Sequence, residues 1–230
     1  MRQVNRIEVR GGSTGHQLTF ALVPDLHNGP FEDVLPELKQ VDAILIAGDL
    51  VNRHRHGYAQ AKRFLEEAPL LAPTFYSIGN HERKFSEMEA VWPLVGKNGV
   101  ELLDNRYVHF HGVILGGLSS HELHKPVDAS FLGNMAAEKG FHLLMCHHPE
   151  YYSEYVKGHG IELTVSGHAH GGQVQLFGRG LYAPGQGLFP KLTNGFYEDG
   201  RLFVSRGMTN SAGVPRFHNP TELVILNLIY

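Results

Sequence analysis

Short apolar runs separated by amphipathic segments dominate the pattern of the chain. The runs have the length and the flanking residues of β-strands that are buried on both faces. They cover residues 18–23, 43–47, 73–78, 100–103, 107–110, 113–118, 141–146, 161–166, 201–205 and 221–228. The alternation of strand and helix in the first half predicts parallel strands joined by right-handed crossovers, and the hairpin-rich second half predicts antiparallel pairs.

Helical spacing of apolar residues marks several of the segments between these strands. In residues 58–68 the apolar side chains recur every three or four positions, opposite a charged face. The other predicted helices cover residues 31–40, 86–95, 128–139 and 149–156. Pro93 is expected to bend or end the helix in which it lies, because proline cannot donate the helical hydrogen bond.

Together these elements predict an α/β protein of the mixed α+β kind, in which two mixed β-sheets pack together with helices on the outside. The chain has 230 residues, of which 42% are hydrophobic and 19% are charged. This is an ordinary globular composition, and the length is sufficient for one sizeable core. We therefore expect a single domain over residues 1–230.

Charge and cysteine usage argue against several classes of protein. The formal net charge is −3 and the pI is about 6.6, so no stable nucleic-acid binding is expected. Cys146 is the single cysteine, which excludes an intramolecular disulfide and suits a reducing compartment. Residues 1–17 lack the apolar region of a secretory signal, and no stretch approaches the ~20 apolar residues of a membrane span. The sequence thus predicts a soluble, cytoplasmic protein.

Polar side chains that bind metals follow five of the predicted strands. They are Asp25 and His27, Asp49, Asn80 and His81, His147 and His148, and His168 and His170. Open α/β sheets place ligands at the carboxyl ends of their strands, so we expect these groups to meet along one rim. In an extended backbone, residues two apart project to the same side, which would pair the members of each Asp-x-His or His-x-His motif. A lone His-x-His also fits a solvated turn, but five such strand ends favour a metal site.

The order of these motifs resembles that of the calcineurin-like metallophosphoesterases. Their pattern is Asp-x-His, Gly-Asp, Gly-Asn-His-Glu, a later His and Gly-His-x-His, and every element is present here in that order. Residues 102–105, 166–174, 204–207 and 216–222 are also similar to the bacterial YkuE-type branch. The resemblance covers nearly the whole chain from Leu18, and it implies an αββα sandwich.

The resemblance implies two divalent transition-metal ions, manganese, iron or zinc, that share Asp49 as a bridge. The other ligands would be Asp25, His27 and His170 for one ion and Asn80, His147 and His168 for the second. A carboxylate can span two cations ~3.5–4 Å apart, and neutral imidazoles suit transition metals. Two such cations lower the pKa of a shared water, so that hydroxide can attack phosphorus in line.

Two further residues are implied to take part in catalysis. His81 binds no metal in the family and lies beside the scissile phosphoryl group, where it would stabilise charge or protonate the leaving oxygen. Glu82 would orient His81.

The chain departs from the family at two positions. Pro24 stands where many members have Ser, and the pair His147-His148 replaces the more usual His-Asn of this branch. Alignment on Pro149 favours His147 as the metal ligand. His148 then either contacts the phosphate or has a solvated role.

Other polar residues keep two interpretations each. His54 and His56 either line the substrate entrance or belong to a solvated loop. His121 and His124 lie where this branch commonly has acidic residues, so this part of the pocket is expected to differ from that of its relatives. Arg206 either meets a phosphate or pairs with a carboxylate.

Residues 181–196 contain five glycines or prolines among apolar side chains. We expect a loop without regular structure that forms one wall of the substrate pocket, because long loops in compact domains are usually functional. The alternative is that its aromatic side chains fold back onto the core.

The sequence therefore predicts a two-metal phosphoesterase that hydrolyses phosphomonoesters or phosphodiesters of a small molecule. A second hypothesis is hydrolysis of a sugar-nucleotide or lipid-linked pyrophosphate, in line with the YkuE-type resemblance. A third, from another class, is a non-catalytic scaffold stabilised by metal; the intact ligand set and His81 argue against it. The oligomeric state does not follow from the sequence.

Overall fold

The computed structural model describes residues 2–12, 15–121, 126–176, 179–211 and 214–230. In chain order the strands are β1 (Gln3–Arg10), β2 (Gln17–Leu22), β3 (Ala43–Ala47), β4 (Thr74–Ser77), β5 (Glu101–Leu102), β6 (Arg106–Phe110), β7 (Val113–Leu118), β8 (Phe141–Cys146), β9 (Leu163–Ser166), β10 (Gln175–Leu176), β11 (Arg179–Gly180), β12 (Tyr182–Ala183), β13 (Gly187–Leu188), β14 (Gly195–Tyr197), β15 (Leu202–Val204) and β16 (Glu222–Ile229). The α-helices are α1 (Leu35–Leu38), α2 (Ala59–Glu67), α3 (Met88–Lys97) and α4 (Leu132–Ala137). Short 3-10 helices cover Glu32–Val34, Ala68–Leu70, Glu82–Lys84, His170–Gly172 and Glu198–Gly200, and a π-helical turn covers Tyr152–Val156.

Two six-stranded mixed sheets make up the body of the fold, which confirms the predicted fold class. The spatial order is β1-β16-β2-β3-β4-β5 in the first sheet and β14-β15-β9-β8-β7-β6 in the second. In the first sheet only β16 and β2 are antiparallel neighbours. In the second sheet antiparallel pairing is limited to the outer pairs, β14 with β15 and β6 with β7. The strands that lead to the predicted site are therefore parallel within each sheet.

An apolar layer lies between the two sheets, and two further layers lie under the helices. In β3, Ala43, Leu45 and Ala47 join the layer between the sheets, while Ile44 and Ile46 face α2 and α3. Strand β8 alternates in the same way between the central layer and the layer under α4. Because both faces of these strands are covered, their sequences are continuous apolar runs. The bounds of β3, β7 and β8 are those predicted from such runs.

The apolar pattern does not predict β1. Its residues alternate between exposed and half-buried because it is an edge strand, paired only with β16. An edge strand that is covered on one side lacks the continuous apolar run that marks the inner strands.

The helices differ from their predicted ranges at their ends. Asp128 accepts hydrogen bonds from the backbone N and Oγ of Ser130, so it forms a turn, and α4 begins only at Leu132. Helix α3 continues to Lys97, so Pro93 does not end it. Among the described residues no helix is both long and apolar enough to span a bilayer.

Candidate metal centre

Five strand ends converge at one edge of the sandwich: those of β2, β3 and β4 in the first sheet and of β8 and β9 in the second. The residues that follow these strands form clusters of carboxylates and imidazoles. Potential ligand atoms lie within 4.8 Å of one another in the groups Asp25, His27 and His170; His27, Asp49 and His81; and Asp49, His147 and His168. Asn80 lies beside them in the wall of the adjoining pocket. The structure thus brings together the residues that the sequence proposed as ligands.

The backbone leaves the extended conformation at these residues. Asp25, His27, Asp49, His168 and His170 have φ angles between 48° and 65°, in the left-handed region. The prediction that strand alternation aligns these side chains was therefore wrong: a tight turn after each strand directs them. Each such conformation costs about 1–2 kcal/mol for a residue other than glycine, so backbone strain is concentrated at this edge.

Two motif glycines let the backbone approach the carboxylates closely. A Cβ at Gly79 would lie 2.3 Å from Oδ1 of Asp49, and one at Gly167 would lie 2.5 Å from Oδ2 of Asp25. Both separations are far inside van der Waals contact, so any larger residue would displace the carboxylate. The close approach of the backbone to these carboxylates therefore explains why glycine opens both the Gly-Asn-His-Glu and the Gly-His-x-His motif.

The first cluster consists of Asp25, His27 and His170. The two imidazole Nε2 atoms are 3.3 Å apart, and each lies 3.6 Å from Oδ1 of Asp25. Nη2 of Arg216 lies 3.0 Å from Nδ1 of His170. Because a guanidinium only donates, the ring hydrogen of His170 is on Nε2 in this arrangement. A cation bound at Nε2 would replace that hydrogen, and Arg216 would then have to release Nδ1.

The second cluster is centred on Asp49. Its Oδ2 lies 3.0 Å from Nε2 of His147 and 3.9 Å from Nε2 of His27, so the carboxylate stands between the two clusters. Nδ1 of His147 donates to the carbonyl oxygen of Ala47 at 2.9 Å, which directs Nε2 into the site. Oδ1 of Asn80 is buried and has no hydrogen-bond partner among the described residues. This orphaned amide oxygen, with the carboxylate of Asp49 and Nε2 of His147, fits the donor set of a cation site.

Burial and mutual charge shift the pKa values within the centre. Burial lowers the pKa of His170 to about 4 and that of His168 well below its usual range. Burial alone would raise the pKa of Asp49, but the charges of His147, His81 and His27 hold it well below its usual range. The charge of Asp49 raises the pKa of His147 to about 10, against the effect of burial. Ionised carboxylates beside the neutral imidazoles of His168 and His170 are a donor set that suits divalent transition metals, and a cation would take the place of the His147 proton.

His81 lies on the pocket side of Asp49. Its backbone N donates to Oδ1 of Asp49 at 2.8 Å, and its Nε2 lies 3.8 Å from Oδ2. The backbone N of Arg53 donates to Nδ1 of His81 at 3.1 Å, which places the hydrogen of the neutral ring on Nε2. Burial lowers the pKa of His81 to about 3. The neutral ring can therefore donate a hydrogen bond to a phosphoryl oxygen, which favours charge stabilisation over proton transfer.

Glu82 has a different place from the one expected. Its carboxylate lies under the loops of Asp49 and Asn80, where it accepts hydrogen bonds from four backbone N–H groups and not from His81. The donors are Asp49 (2.9 Å), Gly79 (2.7 Å), Leu50 (2.7 Å) and Val51 (3.3 Å). The hydrogen bond that orients His81 comes from Arg53. Glu82 therefore fixes the two loops relative to each other, and the expectation that it orients the His81 ring has no support in these contacts.

Replacing Glu82 by Gln is expected to lower the free energy of unfolding by about 2–4 kcal/mol, because an amide NH₂ would face buried N–H donors. Denaturant unfolding of the metal-free protein measures this loss. The matched control is Glu154→Gln, at an exposed position, which should leave the unfolding midpoint unchanged. Equal midpoints for Glu82→Gln and the unsubstituted protein would contradict the assigned role.

A pocket of about 500 Å³ opens beside the two clusters. Its wall includes His54, His121 and His148, so these three side chains face the space that a substrate would fill. The ring of His56, in contrast, is 98% exposed and belongs to the solvated part of its loop. His124 lies outside the described residues.

His148 adjoins the His147 cluster: its ring centroid lies 4.1 Å from that of His168, and potential ligand atoms of His148, Glu150 and His168 lie within 4.8 Å of one another. Its Nδ1 lies 3.1 Å from Oε1 of Glu150, its ring stacks on that of Tyr151, and its Nε2 is buried without a partner in the described part of the chain. It is thus available to the pocket. Arg206 pairs with the carboxylate of Glu222 at 2.8 Å, which is the second of its two expected roles.

Comparison with known families identifies the chain. A family model described as calcineurin-like phosphoesterase matches residues 18–172, the range that contains all the clustered residues. The chain belongs to this family.

Relatives in bacteria support the assignment. A metallophosphoesterase of Helicobacter pylori is 28% identical over 93% of this chain and 60% of its own length. One of Campylobacter jejuni is 26% identical over 98% of this chain and 63% of its own length. The chain thus spans about three-fifths of the length of these relatives. A solved structure of Haemophilus influenzae NAD nucleotidase aligns with a TM-score of 0.50 at 14% identity, covering 92% of this chain and 44% of that one; this likeness shows a shared fold.

Residues 181–196, which follow His170, contain regular structure that their composition does not predict. Within residues 181–196, β12 and β13 pair as a small antiparallel hairpin. Tyr182, Pro184 and Gly185 line the pocket. Leu188 and Phe189, at 74% and 75% exposure, neither line that pocket nor fold back onto the core.

The double replacement Leu188→Ala with Phe189→Ala is therefore expected to leave thermal stability and the hydrolysis of a small chromogenic phosphoester unchanged. It should weaken turnover only of a bulky or lipid-bearing substrate that extends past Tyr182, because these side chains lie beyond the pocket wall. Kinetics on both substrate types and a thermal melt measure this. A lowered melting temperature with equal losses on both substrates would show that the two side chains serve the core.

Proposed function

We propose that this chain is a binuclear metal-dependent phosphoesterase that hydrolyses phosphomonoester or phosphodiester bonds. The observation that carries the proposal is the position of Asp49 between two carboxylate–imidazole clusters beside a pocket. Two separate cation sites would not need a shared carboxylate, whereas a binuclear centre does.

The residues present fit two divalent cations. Asp25, His27 and His170 would hold one, and Asn80, His147 and His168 the other, with Asp49 shared. When bound, such cations supply Lewis acidity to the phosphoryl oxygens and lower the pKa of water for in-line attack. Four of these ligands are histidines, so manganese, iron or zinc is expected in preference to magnesium.

The other residues of the site position and stabilise the substrate. His81 offers its Nε2–H to a phosphoryl oxygen as negative charge develops there. Glu82 keeps the loops of Asp49 and Asn80 at a fixed separation through four backbone hydrogen bonds. Tyr182, Pro184 and Gly185 supply a further part of the pocket wall.

A second candidate is hydrolysis of a pyrophosphate, and a third is a binding scaffold without catalytic activity. Two cationic side chains in the pocket wall, Arg53 and Lys84, favour the pyrophosphate over the scaffold, because a scaffold stabilised by metal needs no additional anion site.

Metal reconstitution and an activity screen test the proposal together. Purified protein loaded with excess Mn²⁺, Fe²⁺ or Zn²⁺ and then dialysed is expected to retain two ions per chain by elemental analysis. It should hydrolyse p-nitrophenyl phosphate or bis(p-nitrophenyl) phosphate. Retention of one ion or none would contradict the binuclear centre. Two ions without hydrolysis of any mono-, di- or pyrophosphate ester would favour the scaffold.

A further inference from the structure

The wall of the pocket contains a buried nitrogen that has no partner. His148 lines the pocket, is 8% exposed, and its Nε2 makes no hydrogen bond in the described part of the chain. Oδ1 of Asn80 is also buried and unpaired, but it belongs to the candidate metal centre. A buried polar atom is costly unless something satisfies it. A ligand in the pocket can supply the partner that Nε2 of His148 lacks.

Two contacts fix the direction of this nitrogen. Nδ1 of His148 lies 3.1 Å from Oε1 of Glu150, and the ring stacks on that of Tyr151 with centroids 4.6 Å apart. The hydroxyl of Tyr151 in turn shares a hydrogen bond with Nδ1 of His121. Turning the ring over would break the contact with Glu150, and tilting it would break the stack. Nε2 therefore keeps one orientation.

The β12–β13 hairpin packs directly on Glu150. A Cβ at Gly185, in that hairpin, would lie 2.4 Å from Oε1 of Glu150, so a larger residue would displace the carboxylate. Gly185 lines the pocket, whereas Glu150 does not. The carboxylate thus lies behind the wall, and its effect on the pocket passes through the ring of His148.

The contact with Glu150 also determines which ring nitrogen carries the hydrogen. A carboxylate only accepts, so Nδ1 of His148 donates, and the neutral ring has its lone pair on Nε2. A positively charged ring would lie against His147 and His168, with centroids 5.3 and 4.1 Å away. These two residues are ligands in the proposed metal centre, where a further positive charge would be repelled. Nε2 of His148 is therefore a hydrogen-bond acceptor.

An acceptor at this position does not suit a phosphate. The oxygens of an ionised phosphoryl group only accept, so they would face the lone pair of Nε2 without a hydrogen between them, whereas Nε2–H of His81 offers them a donor. A hydroxyl group can donate to Nε2 of His148. Because His148 adjoins His168, such a hydroxyl would lie near the phosphoryl group that the metal centre binds.

We propose that His148, held by Glu150, forms a hydroxyl-binding subsite that selects phosphoesters with a hydroxyl group near the scissile phosphoryl group. The inference rests on the proposed function and adds a feature that distinguishes one phosphoester from another. His148 contacts the substrate, and Glu150 is a positioning residue. A substrate without the hydroxyl would leave Nε2 buried and unpaired, and sites of this kind reject ligands that lack the matching group. This role is neither the phosphate contact nor the solvated role that the sequence left open.

Binding of phosphonates tests the subsite without reliance on turnover, because their P–C bond is not hydrolysed. Calorimetric titration of the zinc-loaded protein compares hydroxyethylphosphonate with ethylphosphonate, and hydroxypropylphosphonate with propylphosphonate, each hydroxyl being terminal. In at least one pair we expect the hydroxyl-bearing member to bind at least about tenfold more tightly. In His148→Phe, which keeps an aromatic ring on Tyr151 but has no acceptor, the ratio should fall to about one. The matched control, His159→Phe at an exposed position outside the pocket, should keep the preference.

Nitrogen NMR of the histidine rings tests the role of Glu150 without any ligand. In isotope-labelled protein, both metal-free and zinc-loaded, the chemical shifts of the two ring nitrogens of His148 should show the hydrogen on Nδ1. The spectrum of His148→Phe identifies these signals by their loss. Glu150→Ala removes the acceptor, so both tautomers should become populated. Glu154→Ala, at an exposed position, should leave the His148 signals unchanged.

Four results would overturn the inference while the proposed function stands. They are equal binding within both phosphonate pairs, an unchanged preference in His148→Phe, an equal loss of preference in His159→Phe, and a hydrogen on Nε2 of His148 in the unsubstituted protein. Failure of the proposed function is distinguishable, because the protein would then retain no pair of zinc ions and bind none of the phosphonates. The inference would fall with it.

Discussion

Replacing Asp49 by Asn is expected to remove both bound cations and to reduce kcat/KM by at least about a thousandfold. Asp49 Oδ2 lies between Nε2 of His147 and Nε2 of His27, so one substitution weakens both clusters. Asn keeps an oxygen that can accept the hydrogen bond from the backbone N of His81, so the loop should keep its shape. Elemental analysis after dialysis, together with turnover of a chromogenic phosphoester, measures both effects.

An exposed aspartate supplies the control for this experiment. Asp33→Asn changes the same charge at a position on the protein surface and should leave two ions bound and turnover unchanged. If Asp49→Asn retained two ions, the shared carboxylate would not be the bridge. If it lost one ion and kept the other, the two clusters would be independent sites.

Replacing His81 by Asn is expected to lower kcat by about a hundred- to a thousandfold while both cations stay bound. The reason is its hydrogen-bonding pattern: Arg53 occupies Nδ1, and Nε2 carries the hydrogen that faces the pocket. We therefore expect His81 to act on the substrate and not as a metal ligand. Metal content and kcat, measured on the same preparation, separate the two roles.

His56→Asn is a suitable comparison for His81→Asn, because its ring is almost fully exposed. This variant should match the unsubstituted protein in both measurements. Loss of metal from His81→Asn to the extent seen in Asp49→Asn would place His81 among the ligands and overturn its assignment.

Strands that are buried on both faces could be predicted closely from the sequence. Residues 43–47, 113–118 and 141–146 are continuous apolar runs, and β3, β7 and β8 have these bounds. The positions of polar residues directly after such runs then predicted which side chains would meet. Parallel strands deliver their carboxyl ends to a common edge, so that inference needed no knowledge of side-chain geometry.

The supporting contacts of the site could not be predicted, because they join backbone groups far apart in the sequence. Glu82 accepts hydrogen bonds from N–H groups up to 33 residues away, and nothing in the residue itself identifies those donors. Arg53 acts on His81 through its backbone, which no side-chain pattern reveals. The nearness of Arg53 and Lys84 to motif residues was a usable signal for the pocket wall. Arg216 lies in the stretch 216–222 that resembles the YkuE-type branch, but nothing in the sequence linked it to His170, which is 46 residues away.

Strand β16 is synthesised after all the candidate metal ligands, and this constrains when the site can assemble. It lies between β1 and β2, and its pairing with β2 joins residues far apart in the sequence, from Leu22 with Val224 to Gln17 with Ile229. A ribosome therefore produces every candidate ligand, the last being His170, well before residues 222–229 exist. Until then β2 can pair with β3 but not with β16. The turn that carries Asp25 and His27 therefore follows a strand that lacks one of its two neighbours. Long-range pairing of this kind is slow to form, so we expect the nascent chain to acquire its cations only after its closing strand has left the ribosome.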